Sequence, residues 1–364
     1  MSARRAKWSR REFVGGLTLS ATAGLLGVRP EASAAEPPPE TPKLRMTRIP
    51  GICIAPQYVA RELLVAEGFT DLEYVDIGGV DPYPAFASGK VDLSMAFVPP
   101  FLVQVDAGVP IVLLAGIHVG CLELFGTGPV RAIRDLKGRS VAVPVLGSAH
   151  HAFVASMAVY VGVDPRKDIN WVTHPIAESA TVLATGKADA LAGLPPVPQE
   201  LRARGIGRVI VNSATDRPWS QYFCCIVASN RDFVGKYPVA TKRALRALLK
   251  ATDICATAPE QTARLLVDRG FTRDYQFALQ AVREVPYNRW RSYDVEDTVR
   301  FYALRLHEAG MVRSGPQKLI SQGTDWRFLN ELKKELKGYR ESHEALDADE
   351  AHNFRMQPTA SGRG

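Results

Sequence analysis

The residues best placed to do chemistry lie in one short run, Gly147-Ser148-Ala149-His150-His151. Ahead of it, Val141 and Val143 in Ser140-Val141-Ala142-Val143 read as a short buried strand that Pro144 and Gly147 end. Behind it, Phe153, Met157, Tyr160 and Val161 recur at spacings of four, three and one, the face of a helix, and Gly162 stands where a left-handed cap belongs. A strand entering a helix through a Gly-Ser turn leaves several N–H groups unpaired at the positive end of the helix dipole. That arrangement offers anion binding by backbone amides. Ser148 either belongs to that cradle or only caps its helix. A protonated His150 in the first turn opposes the dipole unless an anion offsets it. It therefore either points into a cleft and donates to an oxyanion, or is an exposed neutral ring. Adjacent helical positions diverge, so His150 and His151 do not easily hold one metal between them.

Other chemistry is missing from the sequence. Ala87-Ser88-Gly89-Lys90-Val91 and Ala184-Thr185-Gly186-Lys187-Ala188 lack both the upstream glycine and the following Ser or Thr of a phosphate loop. No Gly-x-Ser-x-Gly, His-Glu-x-x-His or Gly-x-Gly-x-x-Gly occurs. The five cysteines, Cys53, Cys121, Cys224, Cys225 and Cys255, are too few for a disulfide scaffold and show no Cys-x-x-Cys pair. They read as buried free thiols, with one bridge from Cys121 to Cys224 or Cys225 left open. Neither a catalytic residue, a metal nor a cofactor is expected.

Two similar units position the Ser148 turn. Ala87-Ser88-Gly89-Lys90-Val91-Asp92 recurs as Ala184-Thr185-Gly186-Lys187-Ala188-Asp189, with Pro99 and Pro196 at the same offset behind. Each copy reads as a helix end, a capping Gly, a Lys near the helix C-terminus and a strand. Upstream, Leu44–Ile49 (strand), a turn at Gly51–Pro56, a helix over 57–67 capped by Gly68, and a strand over 72–75 parallel the pieces around Ser148 and residues 169–172. Two such units in series predict two α/β lobes with a ligand cleft between them. Phe97 and Leu194, at equivalent strand ends just before Pro99 and Pro195, should face that cleft. Crossings between lobes fall at 118–125 and 222–228. Trp219, Tyr222 and Phe223 near the second crossing read as hinge packing rather than cleft lining.

The ends carry different signals. Ser9-Arg10-Arg11-Glu12-Phe13-Val14, an apolar run to Val28 and Ala32-Ser33-Ala34 form a twin-arginine export signal with a cleavage site, which implies the periplasm. Its removal lowers the formal net charge from the +7 of the whole chain to +3. No basic stripe with interleaved aromatics marks a nucleic-acid surface. The predicted organisation is a signal peptide at 1–35, a stiff linker at 36–42, a first lobe from 43–122 and 223–338, a second lobe at 123–222, and a disordered tail at 339–364. Helices over 238–256, 259–269 and 295–306 should buttress the first lobe.

The chain resembles substrate-binding proteins of the nitrate/sulfonate/taurine class of ABC importers, type II periplasmic binding proteins. The resemblance spans about 43–338. It rests on the element order, Asp135-Leu136-Lys137-Gly138, the Gly147-Ser148-Ala149-His150 turn, Gly162-x-Asp164-Pro165 and both Ala-x-Gly-Lys-x-Asp copies. It implies two Rossmann-like lobes joined by two crossover strands, and a monomer that captures a small molecule and delivers it to an ABC permease. The solute site it implies sets Cys53, Ala55 and Pro56 against Gly147, Ser148, Ala149 and His150, with Phe97, Pro99, Leu194 and Pro195 at the strand ends. The implied ligand is an anion, sulfonate, pyrimidine or aromatic acid. Neither turn carries an Arg or Lys, which leaves room for a neutral or aromatic ligand. Two alternatives share the fold: a ligand sensor for a membrane kinase, and an enzyme similar to the thiamine-pyrimidine synthase. The synthase would need a Schiff-base Lys and an iron-binding cysteine cluster, faintly echoed by Cys224-Cys225, and export runs against it.

Overall fold

The computed structural model describes residues 36–49, 51–78 and 82–337. The expected signal peptide and tail lie outside the described residues. Ten strands are described: β1 (Lys43–Arg48), β2 (Asp71–Asp76), β3 (Leu93–Phe97), β4 (Ile111–Val119), β5 (Glu123–Gly126), β6 (Arg139–Val143), β7 (Ile169–Thr173), β8 (Ala190–Gly193), β9 (Arg208–Asn212) and β10 (Phe223–Asn230). They form two five-stranded sheets in the orders β2-β1-β3-β10-β4 and β7-β6-β8-β5-β9. In each sheet three strands run parallel, and the next neighbour, β10 or β5, pairs antiparallel on both its sides. The two lobes therefore repeat one topology.

The repeated hexapeptide has a physical reason. Gly89 and Gly186 adopt φ of +64° and +70°, the left-handed conformation that ends each preceding helix. The Asp two residues after the repeat's Lys then ties down the neighbouring strand. Asp92 accepts from the Arg45 N–H at 2.8 Å and from its guanidinium at 2.6 and 3.1 Å. Asp189 accepts from the Ser140 N–H at 2.8 Å and the Ser140 hydroxyl at 2.7 Å. These Ser140 bonds hold the Asp189 carboxyl below the usual carboxylate range.

Several local expectations shift. The helix expected over 57–67 begins at Ala55, where Pro56 suits the first turn, and is interrupted at Ala60 into Ala55–Val59 and Arg61–Ala66. Residue Glu40, inside the expected linker, docks on the helix Pro238–Thr257. Its carboxylate accepts the Val239 and Ala240 N–H groups at 2.9 and 2.8 Å, an anion on the positive end of a helix. Burial works against that charge, yet those amides hold the Glu40 carboxyl below its ordinary range. Of the C-terminal helices, Pro238–Thr257 packs on the first lobe against Ala55–Val59, whereas Val295–Glu308 packs both on Val98–Asp106 of the first lobe and on Ala149–Tyr160 of the second. Trp219 is packing, as expected: its ring lies 5.3–6.5 Å from those of Tyr160, Phe301 and Phe153. All five cysteines are free and buried, and the sulfurs of Cys121 and Cys224 are 3.2 Å apart without a bond.

Candidate functional site

A cavity of about 280 Å³ opens between the lobes. The first lobe supplies Ile49, Gly51, Cys53 and Ile54 of the following turn, Tyr83, the β3 end Met95–Phe97, and Cys225 of β10. The second supplies Ala149 at the start of the helix Ala149–Tyr160, Ile176, Ala177, Ser179 and Ala180, Leu194–Val197 just beyond β8, and Glu200. Both walls thus come from segments that follow strand ends, the position at which open α/β sheets hold ligands.

The lining is mainly apolar, and among the described residues no Lys, Arg or His belongs to it. Its polar members are already engaged. The Tyr83 hydroxyl donates to the Phe97 carbonyl at 3.4 Å, the Ser179 hydroxyl to that of Ile176 at 2.8 Å, and Glu200 pairs with Arg204 at 2.6 Å. A compact ion such as nitrate would meet no cationic side chain among these lining residues and would lose its hydration. An uncharged or aromatic guest would keep contact with most of the wall.

Of the residues expected from sequence, Cys53, Phe97, Ala149, Leu194 and Pro195 line this cavity. The others stand behind it. Ala55 and Pro56 are buried in the first turn of their helix, and Pro99 is buried in the first turn of Val98–Asp106. Gly147 is exposed, with φ +87°, and donates to His151 Nδ1 at 3.1 Å. Ser148 is the N-cap, accepting the His151 N–H at 3.3 Å.

His150 departs from both readings of it. It is 3% exposed, so neither a solvent-facing ring nor a lining residue, and its Nδ1 has no hydrogen-bond partner. Burial, reinforced by the nearby His174, holds its imidazole down at about 4. A neutral ring keeps one N–H but brings no positive charge to an oxyanion. His151 is also held at about 4 by burial, and its ring meets Trp171 edge-on at 4.5 Å.

Sequence reasoning missed the lining residues Tyr83, Met95, Ala96, Ile176, Ala177, Ser179 and Ala180, which carry no motif. It also missed a buried group at the cavity wall. Cys53, His118, Cys121 and Cys225 bring their sulfur and nitrogen atoms within 4.8 Å of one another. Burial disfavours a charged His118, but the sulfurs of Cys225 and Cys53 outweigh it and push the imidazole up to about 10. No spacing could reveal this set, because strand pairing sets Cys225 opposite His118 across a long sequence gap.

Solved structures share the fold. The periplasmic nitrate-binding protein NrtA of Synechocystis PCC 6803 is 17% identical, with a TM-score of 0.68 over 82% of this chain and 90% of its own. The periplasmic aliphatic sulphonate-binding protein SsuA of Escherichia coli is 18% identical, with a TM-score of 0.59 over 77% and 91%. A Candida albicans protein with the generic periplasmic-binding-protein fold is 16% identical, with a TM-score of 0.60 over 78% and 96%. At such identities the likeness establishes the fold, a two-lobed periplasmic-binding-protein architecture. No curated protein matches the sequence. The family model described as NMT1/THI5 like matches residues 54–262, more than half of the chain, and the chain belongs to that family.

Proposed function

We propose that this chain is an extracytoplasmic solute-binding protein of the nitrate/sulfonate/taurine class. It closes two lobes, 43–122 with 223–338 and 123–222, on a small molecule and delivers it to an ABC permease. The observation that carries this reading is the cavity walled by both lobes, since a guest touching both walls shifts the population toward closure. Its apolar, cation-free lining favours a neutral or aromatic guest over nitrate or a sulfonate. In the same reading the chain works as a monomer in the periplasm after twin-arginine export. The synthase-like alternative requires a Schiff-base lysine, and no lysine is among the described lining residues.

A thermal-shift panel of nitrate, alkanesulfonates, pyrimidines, aromatic acids and their neutral amides tests this. A true ligand at one hundred times its Kd adds about 2.7 kcal/mol of stability. The shift should come from an aromatic or neutral member and vanish in Ala177→Trp, which fills the cavity from an exposed rim position. A shift that survives Ala177→Trp would put the ligand elsewhere, and a response to nitrate or sulfonates alone would overturn the ligand class.

An ion-pair latch crosses the cleft. Glu284, at the end of the helix Tyr275–Glu284, accepts from Arg202 at 2.6 and 2.8 Å and from Gln199 Nε2 at 2.8 Å. Arg202 also pairs with Glu123. Partly exposed pairs of this kind contribute up to about 1 kcal/mol. Glu284→Ala should therefore weaken binding of the panel's ligand about fivefold by calorimetry. Unchanged affinity would mean that the latch has no part in closure.

A further inference from the structure

The cysteines and the histidine at the cavity wall come from three segments. Cys53 lies in the turn Ile52–Ile54, His118 near the end of β4 with Cys121 just beyond it, and Cys225 on β10. All four are buried, with their donor atoms within 4.8 Å of one another. His118 Nδ1 is 3.1 Å from the Val119 carbonyl oxygen. A carbonyl only accepts, so Nδ1 carries a hydrogen, and Nε2, which gives up its own proton as an ion binds, is the ligating nitrogen. That Nε2 is buried and makes no hydrogen bond. An imidazole oriented by a backbone carbonyl, with its other nitrogen free among thiols, is how metal-binding histidines are prepared.

We propose that Cys53, His118, Cys121 and Cys225 bind one thiophilic metal ion, Zn²⁺ or Cu⁺, as a Cys₃His site. With metal–sulfur bonds of about 2.3 Å, the donors of a tetrahedral site stand about 3.8 Å apart, so these four need draw in by no more than about an ångström. Three sulfurs and one imidazole select a soft or borderline ion against calcium and magnesium. Four protein ligands close the coordination shell, which suits a structural ion. Tyr287 supports the site from behind: its hydroxyl donates to the Cys53 carbonyl at 3.0 Å, and its ring meets that of His118 edge-on at 5.4 Å. Cys53 and Cys225 also line the interlobe cavity, which gives the ion a way in. Once bound, it would tie the ligand-facing turn to both crossings between the lobes.

The full chain, purified under reductant, is exchanged with Zn²⁺ and freed of excess with a weak chelator. Atomic emission then counts the metal, and Co²⁺ in its place reports thiolate-to-metal charge transfer. One ion per chain is expected, with tetrahedral cobalt bands. Cys53→Ser, His118→Gln, Cys121→Ser and Cys225→Ser should each weaken zinc binding at least about tenfold in chelator competition. Cys255→Ala, a buried thiol outside the group, should retain the ion. Should a ligand variant not fold, the zinc-dependent rise in melting temperature of the unaltered chain and of Cys255→Ala carries the test. A folded reduced chain that retains no ion overturns the proposal. So does binding unchanged by all four substitutions, or a Cys121–Cys224 disulfide formed in place of metal uptake. The readout is the ion itself and is independent of what the cavity binds.

Discussion

Replacing Gly120 by alanine should destabilise the protein by about 3 kcal/mol, among the larger effects of a single methyl group. Gly120 has φ +41°, a conformation that L side chains rarely adopt. The added Cβ would also strike the backbone of Ser213 and Ala214. Backbone cannot swing aside as a side chain can, so the strand ends themselves must part. They are stitched together there: Cys121 N–H donates to Ser213 Oγ at 3.1 Å, and the Ser213 N–H and hydroxyl both donate to the Leu122 carbonyl at 3.0 and 2.6 Å. The outgoing crossing and the loop that leads back thus hold each other at a point where only glycine fits. Thermal melts by circular dichroism should show a fall of roughly 5–10 °C. Gly128→Ala is the control. Its φ is +54° but the space around it is open, so only the conformational cost of about 1 kcal/mol applies. Equal losses in the two variants would deny any role to the close approach.

The second large effect is a loss of stability on mild acidification. An imidazole in the unfolded chain titrates near 6.5. His150 and His151 in the folded protein titrate at about 4. Between those values the unfolded chain takes up protons that the folded one rejects, so stability rises with pH through that window. Put the other way, the contribution is complete above pH 6.5 and is lost as pH falls to about 4. For the buried His150 it amounts to roughly 3 kcal/mol, and less for the half-buried His151. Urea denaturation at steps from pH 7 to pH 4.5 should show this fall, and His150→Gln should flatten it. The carboxyls of Asp189 and Glu40, held low, respond at more acidic pH, whereas burial pushes the Glu123 carboxyl up, so that it takes its proton within the window and offsets part of the fall. A flat profile in the unaltered chain would mean that these rings are solvated.

The fold was legible in the sequence because its markers are local. The two Gly-Lys-x-Asp copies mark matching helix stops, Ser148 and Asp294 cap helices as their types suggest, and the strand after the first copy, β3, ends at Phe97. The strand-end residues Phe97 and Leu194 reached the cavity for the same reason, since topology alone fixes where strands end. Side-chain direction was not legible. His150 faces the interior because Ser148 sets the helix's first turn and His151 takes the outer, Trp171-facing place. The Cys–His group was invisible because its members meet only through the pairing of β4 with β10 and the folding-back of the Cys53 turn.

That pairing also sets an order of events at the ribosome. β10 sits between β3 and β4, so partners such as Phe97 and Cys225 flank, in sequence, every strand of the second sheet. Emerging residues 43–122 cannot complete their own sheet and must leave β3 and β4 with open edges until β10 has been synthesised. The strands of the second lobe all lie between Glu123 and Asn212, so its sheet can pair before β10 is made. The last-made strand then closes the first-made lobe, a high-contact-order step that should limit the overall rate.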